Sequence, residues 1–490
     1  MSAENSFRRS VSWLFLGNTS TQILTFAFGI VLARLLAPAE FGMLVTIQVF
    51  TGLAGFVSGG GMGQALVRAK DATRHDYDVV FTLQIMIGLL IYGVFFLAAP
   101  WFAHWYDTPL YESLLRVSAL TFVTRPLVNV PNSILHRDMR FKAQTVARVA
   151  TLMVSSGVSI ALAWAGWSVW SLILGGLAGS ITNATMLSLL ARWRPGLSFE
   201  FKRGRELARY GFLVSINDIV VYARNQVANL ILGRTLGMSA VGLFNKSDSL
   251  VRMPATFITG SVYQVLFRAL AREQHDDARS RQMFLQGIRL VAVYATPCYV
   301  MLYWLATPMI HLLYGERWIE AAAPLSLLAV ACPMLMIANL SGAVLAARNW
   351  LGRELRVQII LLALTAGATF AGLQYGLSGI AIALIAVAFY NALHMYWLAS
   401  RCLGTGWGDL VRALAPAALL NTLLCLLVFA LDATLGRHYT QSDLLHLLVV
   451  GGTGGLAYAL MFLLLPIPAL AGERNKWIAK LTFNRYGNPK

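Results

Sequence analysis

Apolar windows of about 20 residues recur along this whole chain, and each is long enough to cross the roughly 30 Å hydrocarbon layer of a bilayer. No soluble core needs so many. Of 490 residues, 57% are apolar and only 12% are charged, where a soluble domain carries about 25% charge. The windows predict an all-α, polytopic membrane protein with about fourteen spans. They lie near 11–33, 43–66, 78–100, 112–134, 143–165, 168–190, 211–232, 242–267, 283–306, 321–346, 356–375, 377–400, 411–431 and 444–465. The connections are too short, at about 20 residues or fewer, to form an extramembrane catalytic domain, so no enzyme activity is expected.

A net charge of +17 invites a nucleic-acid reading, but its distribution argues against one. The basic residues sit in short clusters on alternate connections, the pattern of positive-inside topology. Arg8 and Arg9 begin one side, which continues through Arg68 to Arg74, Arg137 to Arg148, Arg192 to Arg209, Arg268 to Arg289, Arg348 to Arg356, Arg401 and Arg412, and Arg474 to Lys490. About 30 of the 39 lysines and arginines fall there. The other side has Arg34, Arg234, Arg317 and Arg437. Both termini are therefore expected in the cytoplasm.

One stretch occurs twice. Leu32-Ala33-Arg34-Leu35-Leu36-Ala37-Pro38 leads to Phe41-Gly42, and Leu232-Gly233-Arg234-Thr235-Leu236-Gly237-Met238 leads to Val241-Gly242. Upstream, Asn18, Gln22, Thr25 and Gly29 share one helical face, and the same shift lands on Asp218, Tyr222, Asn225 and Asn229. Further anchors are Pro100 before Tyr106 with Pro308 before Tyr314, and Gly166-Trp167-Ser168 with Gly376-Leu377-Ser378. The expected organisation is two pseudo-symmetric six-helix lobes, 1–200 and 201–405, then two extra helices and a basic tail over 406–490. Six spans per copy is an even number, so the lobes would be related by an axis along the membrane normal.

Short motifs carry little. Ser58-Gly59-Gly60-Gly61-Met62-Gly63 lacks the third glycine of a dinucleotide fingerprint and the lysine of a P-loop. Inside a span it reads as a close-packing seam. His136-Arg137-Asp138 lacks the asparagine of a kinase loop. Cys298, Cys332, Cys402 and Cys425 are scattered singly, and the histidines have no metal spacing. Phe7-Arg8-Arg9-Ser10 faintly resembles a twin-arginine signal, but the following run is broken by polar residues and reads as an uncleaved first span.

Charge inside the spans is the functional signal, because it is costly there and usually faces a cavity. Arg224 lies midway along the seventh span. Asp248 and Arg252 share a face of the eighth with Asn245 and Ser249, and Arg125 precedes Pro126, where the fourth is expected to kink. The competing reading is a structural pair such as Arg252 with Asp218 or Asp248. As a set, the basic members outnumber the acidic ones, so the cavity suits an anion, with phosphate or pyrophosphate the natural partner of arginine. The expected cavity residues are Arg224, Arg252, Arg125, Asn18, Gln22, Asp218, Tyr222, Asn225 and Asp248.

Several stretches resemble one family. They are Arg34-Leu35-Leu36-Ala37-Pro38-Ala39-Glu40-Phe41-Gly42, Gly233 to Gly237 running to Phe244, Tyr314-Gly315-Glu316-Arg317-Trp318 and Tyr375-Gly376-Leu377-Ser378-Gly379. Their order and spacing are similar to those of the Wzx-type flippases. These form the polysaccharide transporter branch of the multidrug/oligosaccharidyl-lipid/polysaccharide (MOP) exporter superfamily. The resemblance implies a two-lobed bundle in the bacterial inner membrane. It would flip an undecaprenyl-pyrophosphate-linked oligosaccharide to the periplasmic leaflet by alternating access. It also implies no cofactor beyond an H+ or Na+ gradient. The implied partners are membrane lipids and the polysaccharide polymerase and export machinery.

Three other functions compete. A lipid II-type flippase resembles the chain less, since those proteins carry arginine in the first span where this chain has Asn18 and Gln22. A multidrug/cation antiporter of the same superfamily would favour buried carboxylates. A membrane polymerase or ligase would be expected to need a large outward loop with charged groups, whereas Trp101 to Tyr111 holds one aspartate and no lysine or arginine.

Overall fold

The computed structural model describes residues 3–59, 61–68, 73–273, 276–435 and 442–481. The side chains of 3–16, Asn18, Arg68, 201–215 and Leu435 lie outside the described set, as do Lys70, Arg437, Arg485 and Lys490. No strand occurs among the described residues. Against about fourteen expected spans, nine segments are long and apolar enough to cross a membrane by length and composition, counted among the described residues. One of them, Gly352–Leu403, comprises two helices. The protein is an all-α, multi-pass membrane protein. Its outer surface agrees with that: Trp164, Leu97 and Leu464 are 86%, 80% and 74% exposed, a cost in water and a gain in lipid.

The chain divides into two compact units, residues 1–243 and 244–490. The first contains α1 (Ala3–Leu35), α2 (Pro38–Gly59), α3 (Met62–Arg68), α4 (Arg74–Trp105), α5 (Leu110–Ala119), α6 (Thr121–Thr124), α7 (Pro126–Arg137), α8 (Phe141–Trp164), α9 (Ser168–Ala191) and α10 (Phe201–Thr235). Local chemistry sets several of these ends. Thr73 and Asp76 form a capping box that starts α4. At the expected kink the helical ladder is interrupted while the backbone stays right-handed helical: α5 ends at Ala119, α6 follows Leu120, and Pro126 takes the first position of α7 after Arg125. The helix α10 packs on α2 and α3, and α1 packs on α8.

The second unit follows from α11 (Gly237–Arg272), which begins in the first. It holds α12 (Asp277–Trp304), α13 (Ala306–Tyr314), α14 (Ala322–Ala347), α15 (Leu351–Gly372), α16 (Gly376–Leu403), α17 (Trp407–Leu435), α18 (Asp443–His446), α19 (Gly452–Leu464) and α20 (Ala471–Leu481). Here α14 is the inner helix, packed against α12 and α16, and α17 lies on α12.

Backbone geometry repeats between the units. Left-handed residues fall at Asp107 and Gly315 after the two tyrosine anchors, at Met139 and Asn349, at Gly166 and Gly376, and at Arg192 and Gly404. Each pair is in step with the drifting offset of the sequence repeat. A residue of positive φ turns the chain out of a helix, and these turns recur at the spacing of the sequence repeat, while Gly61, Ser168 and Gly237 have no such counterpart among the described residues.

The glycine run after Ser58 combines two roles. A Cβ on Gly63 would lie 2.9 Å from Ser133 Oγ, the close packing expected of small residues. Helix α2 stops at Gly59, Gly61 takes φ of 60°, and α3 restarts at Met62. Glycine both allows close approach and favours positive φ, and here both are used.

Candidate functional site

Two glycines on α2, three residues apart and so on one face, receive two polar side chains from different helices. Tyr222 of α10 donates its hydroxyl proton to the Gln48 carbonyl at 2.6 Å. A Cβ at position 52 would lie 1.9 Å from that hydroxyl oxygen. The Tyr222 ring also meets Phe56, with centroids 5.4 Å apart. At Gly55 the visitor is Arg125, whose Nη1 would be 2.0 Å from a Cβ there.

Arg125 reaches this position because it occupies the break between α6 and α7. Its guanidinium lies 6.0 Å from the Phe122 ring centroid and close enough to Tyr222 to interact electrostatically. Among the described residues no carboxylate contacts it. The guanidinium is half-buried, and its planar fork of donors is of the kind that binds an oxyanion.

Next to it lies a feature that sequence reasoning missed. The break after Gly59 leaves a helix-terminal carbonyl, and Gln84 of α4 donates Nε2 to it at 3.2 Å. Asn129 of α7 donates to Gln84 Oε1 at 3.5 Å. The available signal was a glycine triplet together with buried amides in neighbouring spans: orphaned carbonyls at a helix end need donors.

The other expected residues are placed as follows. Arg224 is half-buried and donates Nη2 to Asn225 Oδ1 at 3.1 Å. Asn225 and Asp218 are exposed, and Gln22 is half-buried on α1. Asn229 is buried and donates to Gln226 Oε1 at 2.9 Å. Thus the first unit brings Arg125 and Tyr222 together on α2, while Asp218 and Asn225 remain open.

In the second unit Arg252 Nε donates to Asp248 Oδ2 at 2.7 Å, one turn apart on α11. The pair belongs to a single helix and therefore fastens no two helices together. Nearby, the Lys246 ammonium lies 5.1 Å from the Tyr314 ring and 5.8 Å from that of Trp318, a cation–π arrangement.

Residues 31–323 match the family model described as polysaccharide biosynthesis protein. The chain belongs to that family. Three curated proteins are similar to it. Succinoglycan biosynthesis transport protein ExoT of Rhizobium meliloti is 27% identical over 66% of this chain and 65% of that protein. Lipopolysaccharide biosynthesis protein WzxC of Escherichia coli is 22% identical over 75% of each. Teichuronic acid biosynthesis protein TuaB of Bacillus subtilis is 22% identical over 94% of this chain and 95% of that one.

Among solved structures, an inward closed lipid II flippase MurJ superposes with a TM-score of 0.74 at 13% identity, covering 96% of this chain and 99% of that chain. An inward-facing multidrug resistance MATE family transporter of the MOP superfamily superposes with a TM-score of 0.65 at 16% identity, covering 78% and 94%. This member of the polysaccharide biosynthesis protein family therefore has the MOP fold.

Proposed function

We propose that the chain flips undecaprenyl-pyrophosphate-linked oligosaccharide units from the cytoplasmic to the periplasmic leaflet, for assembly of an exopolysaccharide, capsule or O-antigen. The observation that carries this reading is Arg125, held in a helix break against Gly55 with no carboxylate on it among the described residues. A cation near the middle of a membrane span costs about 2.5 kcal/mol or more on insertion scales, and an anionic cargo in transit would offset that cost. The relatives' names cover succinoglycan, lipopolysaccharide and teichuronic acid. Such variety supports recognition through a group common to many cargoes, the pyrophosphate, more than through the sugars.

In this scheme Arg125, Arg224 and Arg252 serve the anion in transit. Two lobes, 1–200 and 201–405, alternate access, driven by an H+ or Na+ gradient, in an inner membrane with both termini cytoplasmic. The polymerase and export machinery would receive the product. The test is leaflet transfer of a purified lipid-linked oligosaccharide in proteoliposomes. Wild type should move it in response to an ion gradient. Transfer by Arg125→Leu at the wild-type rate would sink the reading.

A further inference from the structure

The helices α15 and α16 pack on one another, through Val357, Leu361, Met395 and Leu398. Their outer surface at one end is unlike the rest of the unit. Arg353, Arg356, Ile360, His394, Trp397 and Arg401 line a groove of about 320 Å³. Two of the arginines are pre-positioned by indole rings. The Arg353 guanidinium carbon is 3.6 Å from the Trp350 centroid, and that of Arg401 is 4.2 Å from Trp397. Stacking of this kind leaves the edge donors of the guanidinium free to bind oxygen.

No carboxylate neutralises these arginines among the described residues. Glu354, on the same helix, turns toward α14, with Oε1 3.7 Å from where a Gly342 Cβ would lie. Asp409, on the neighbouring helix, accepts from the Gly406 amide at 2.9 Å and faces Arg412. Arg353 also stands in the first turn of α15, where the helix dipole adds positive potential.

The groove runs into a second hollow of about 570 Å³ lined by Tyr390, Leu393, His394, Trp397 and Trp407. His394 and Trp397 belong to both. A charged recess therefore opens directly onto an aromatic and aliphatic trough on the lipid-exposed flank. The recess itself offers no amide, hydroxyl or carboxylate, which are the groups a sugar would need.

We propose that this groove is a binding site for an anionic phospholipid of the leaflet on the basic face, its phosphate held by Arg353, Arg356 and Arg401. An acyl chain lies along Leu393, Trp397 and Trp407. Basic pockets between membrane helices hold acidic head groups in this way. The proposal rests on the membrane reading of the fold and not on the identity of the cargo.

The test is native mass spectrometry of the full chain in detergent with phosphatidylglycerol or phosphatidylcholine of matched chains. Phosphatidylglycerol should be retained preferentially. Arg353→Gln, Arg356→Gln and Arg401→Gln should each weaken retention roughly fivefold, the effect of one basic residue near an anionic surface. Arg412→Gln, on α17, should leave retention unchanged. Each of the three variants tests the groove separately, so the test stays decisive if one of them is not recovered. Equal retention of both lipids, or wild-type retention by the arginine variants, overturns the proposal. Preferential displacement of phosphatidylglycerol by undecaprenyl pyrophosphate at equal concentration also overturns it, by assigning the groove to the carrier lipid. No transport is measured, so failure here leaves the proposed flipping activity to its own assay.

Discussion

Gly42 and Gly242 meet, and they do so reciprocally. A Cβ on Gly42 would lie 1.8 Å from the Met238 carbonyl oxygen, and one on Gly242 would lie 1.9 Å from that of Pro38. The repeat shift exchanges these two contacts, which makes them an isologous pair about a local pseudo-two-fold. The second turn is fastened further: the Tyr111 hydroxyl bonds the Met238 sulfur at 2.7 Å, and Arg234 reaches Asp107 at 3.3 Å.

Under the proposed alternating access, this contact is where the two turns would separate and rejoin. Valine at either glycine must push the two turns apart. Overpacking costs about 1–3 kcal/mol, which would bias a two-state closure roughly 5- to 150-fold toward separation. Gly42→Val and Gly242→Val should therefore each reach the membrane at normal level, lose export, and make a cysteine at Thr46 reactive to a polar thiol reagent. The near-symmetry requires similar effects. Loss of export from only one of them would show that the contact is not used as a pair.

The Arg125 site predicts a graded series. Arg125→Lys keeps the charge but loses the fork, so part of the export should remain. Arg125→Leu should insert well and export nothing. Gly55→Leu should act like Arg125→Leu, because the new side chain occupies the space of the guanidinium. Measured export and membrane level together decide: wild-type export by Gly55→Leu would mean that the guanidinium position is irrelevant to transport.

Arg252 and Asp248 call for a double-mutant comparison. If they are only a structural pair, Asp248→Asn should lower the amount of protein by leaving the arginine uncompensated, and a paired Arg252→Leu, Asp248→Leu change should restore both level and export. If Arg252 also meets cargo, the paired change restores level without export. Export by a well-inserted double variant at the wild-type rate would remove Arg252 from the transport scheme.

These residues also mark what was legible in the sequence. The spans were readable because lipid fixes their length and apolarity. The repeat was proposed from turn residues that keep both order and phase, and four pairs of positive-φ residues fall at the same spacing. Arg125 with Pro126 announced a break through a purely local effect. The Arg252 and Asp248 spacing fits both a shared polar face and a pair on one helix, and only side-chain rotamers separate the two. The donor that satisfies the Gly59 carbonyl, Gln84, comes from another helix, and the docking of Tyr222 on Gln48 depends on how α10 packs. Neither is encoded locally.

The last prediction concerns pH at a turn between expected spans. His311 of α13 contacts Asp443 at the start of α18, and its Nε2 is 3.0 Å from Glu316 Oε2. The hydrogen bond to Asp443 comes first among the causes that hold its pKa above the ordinary 6.5. A raised histidine value means that the charged form is favoured in the folded protein. Its contribution is therefore complete below pH 6.5 and is lost as pH rises through the raised value. The group is open to solvent, so salt should weaken the effect. Wild type and His311→Gln should differ most in thermal stability below pH 6.5, converge at alkaline pH, and differ less at high ionic strength. A stability difference that grows with pH would show that α13 is joined to α18 by something other than the imidazolium.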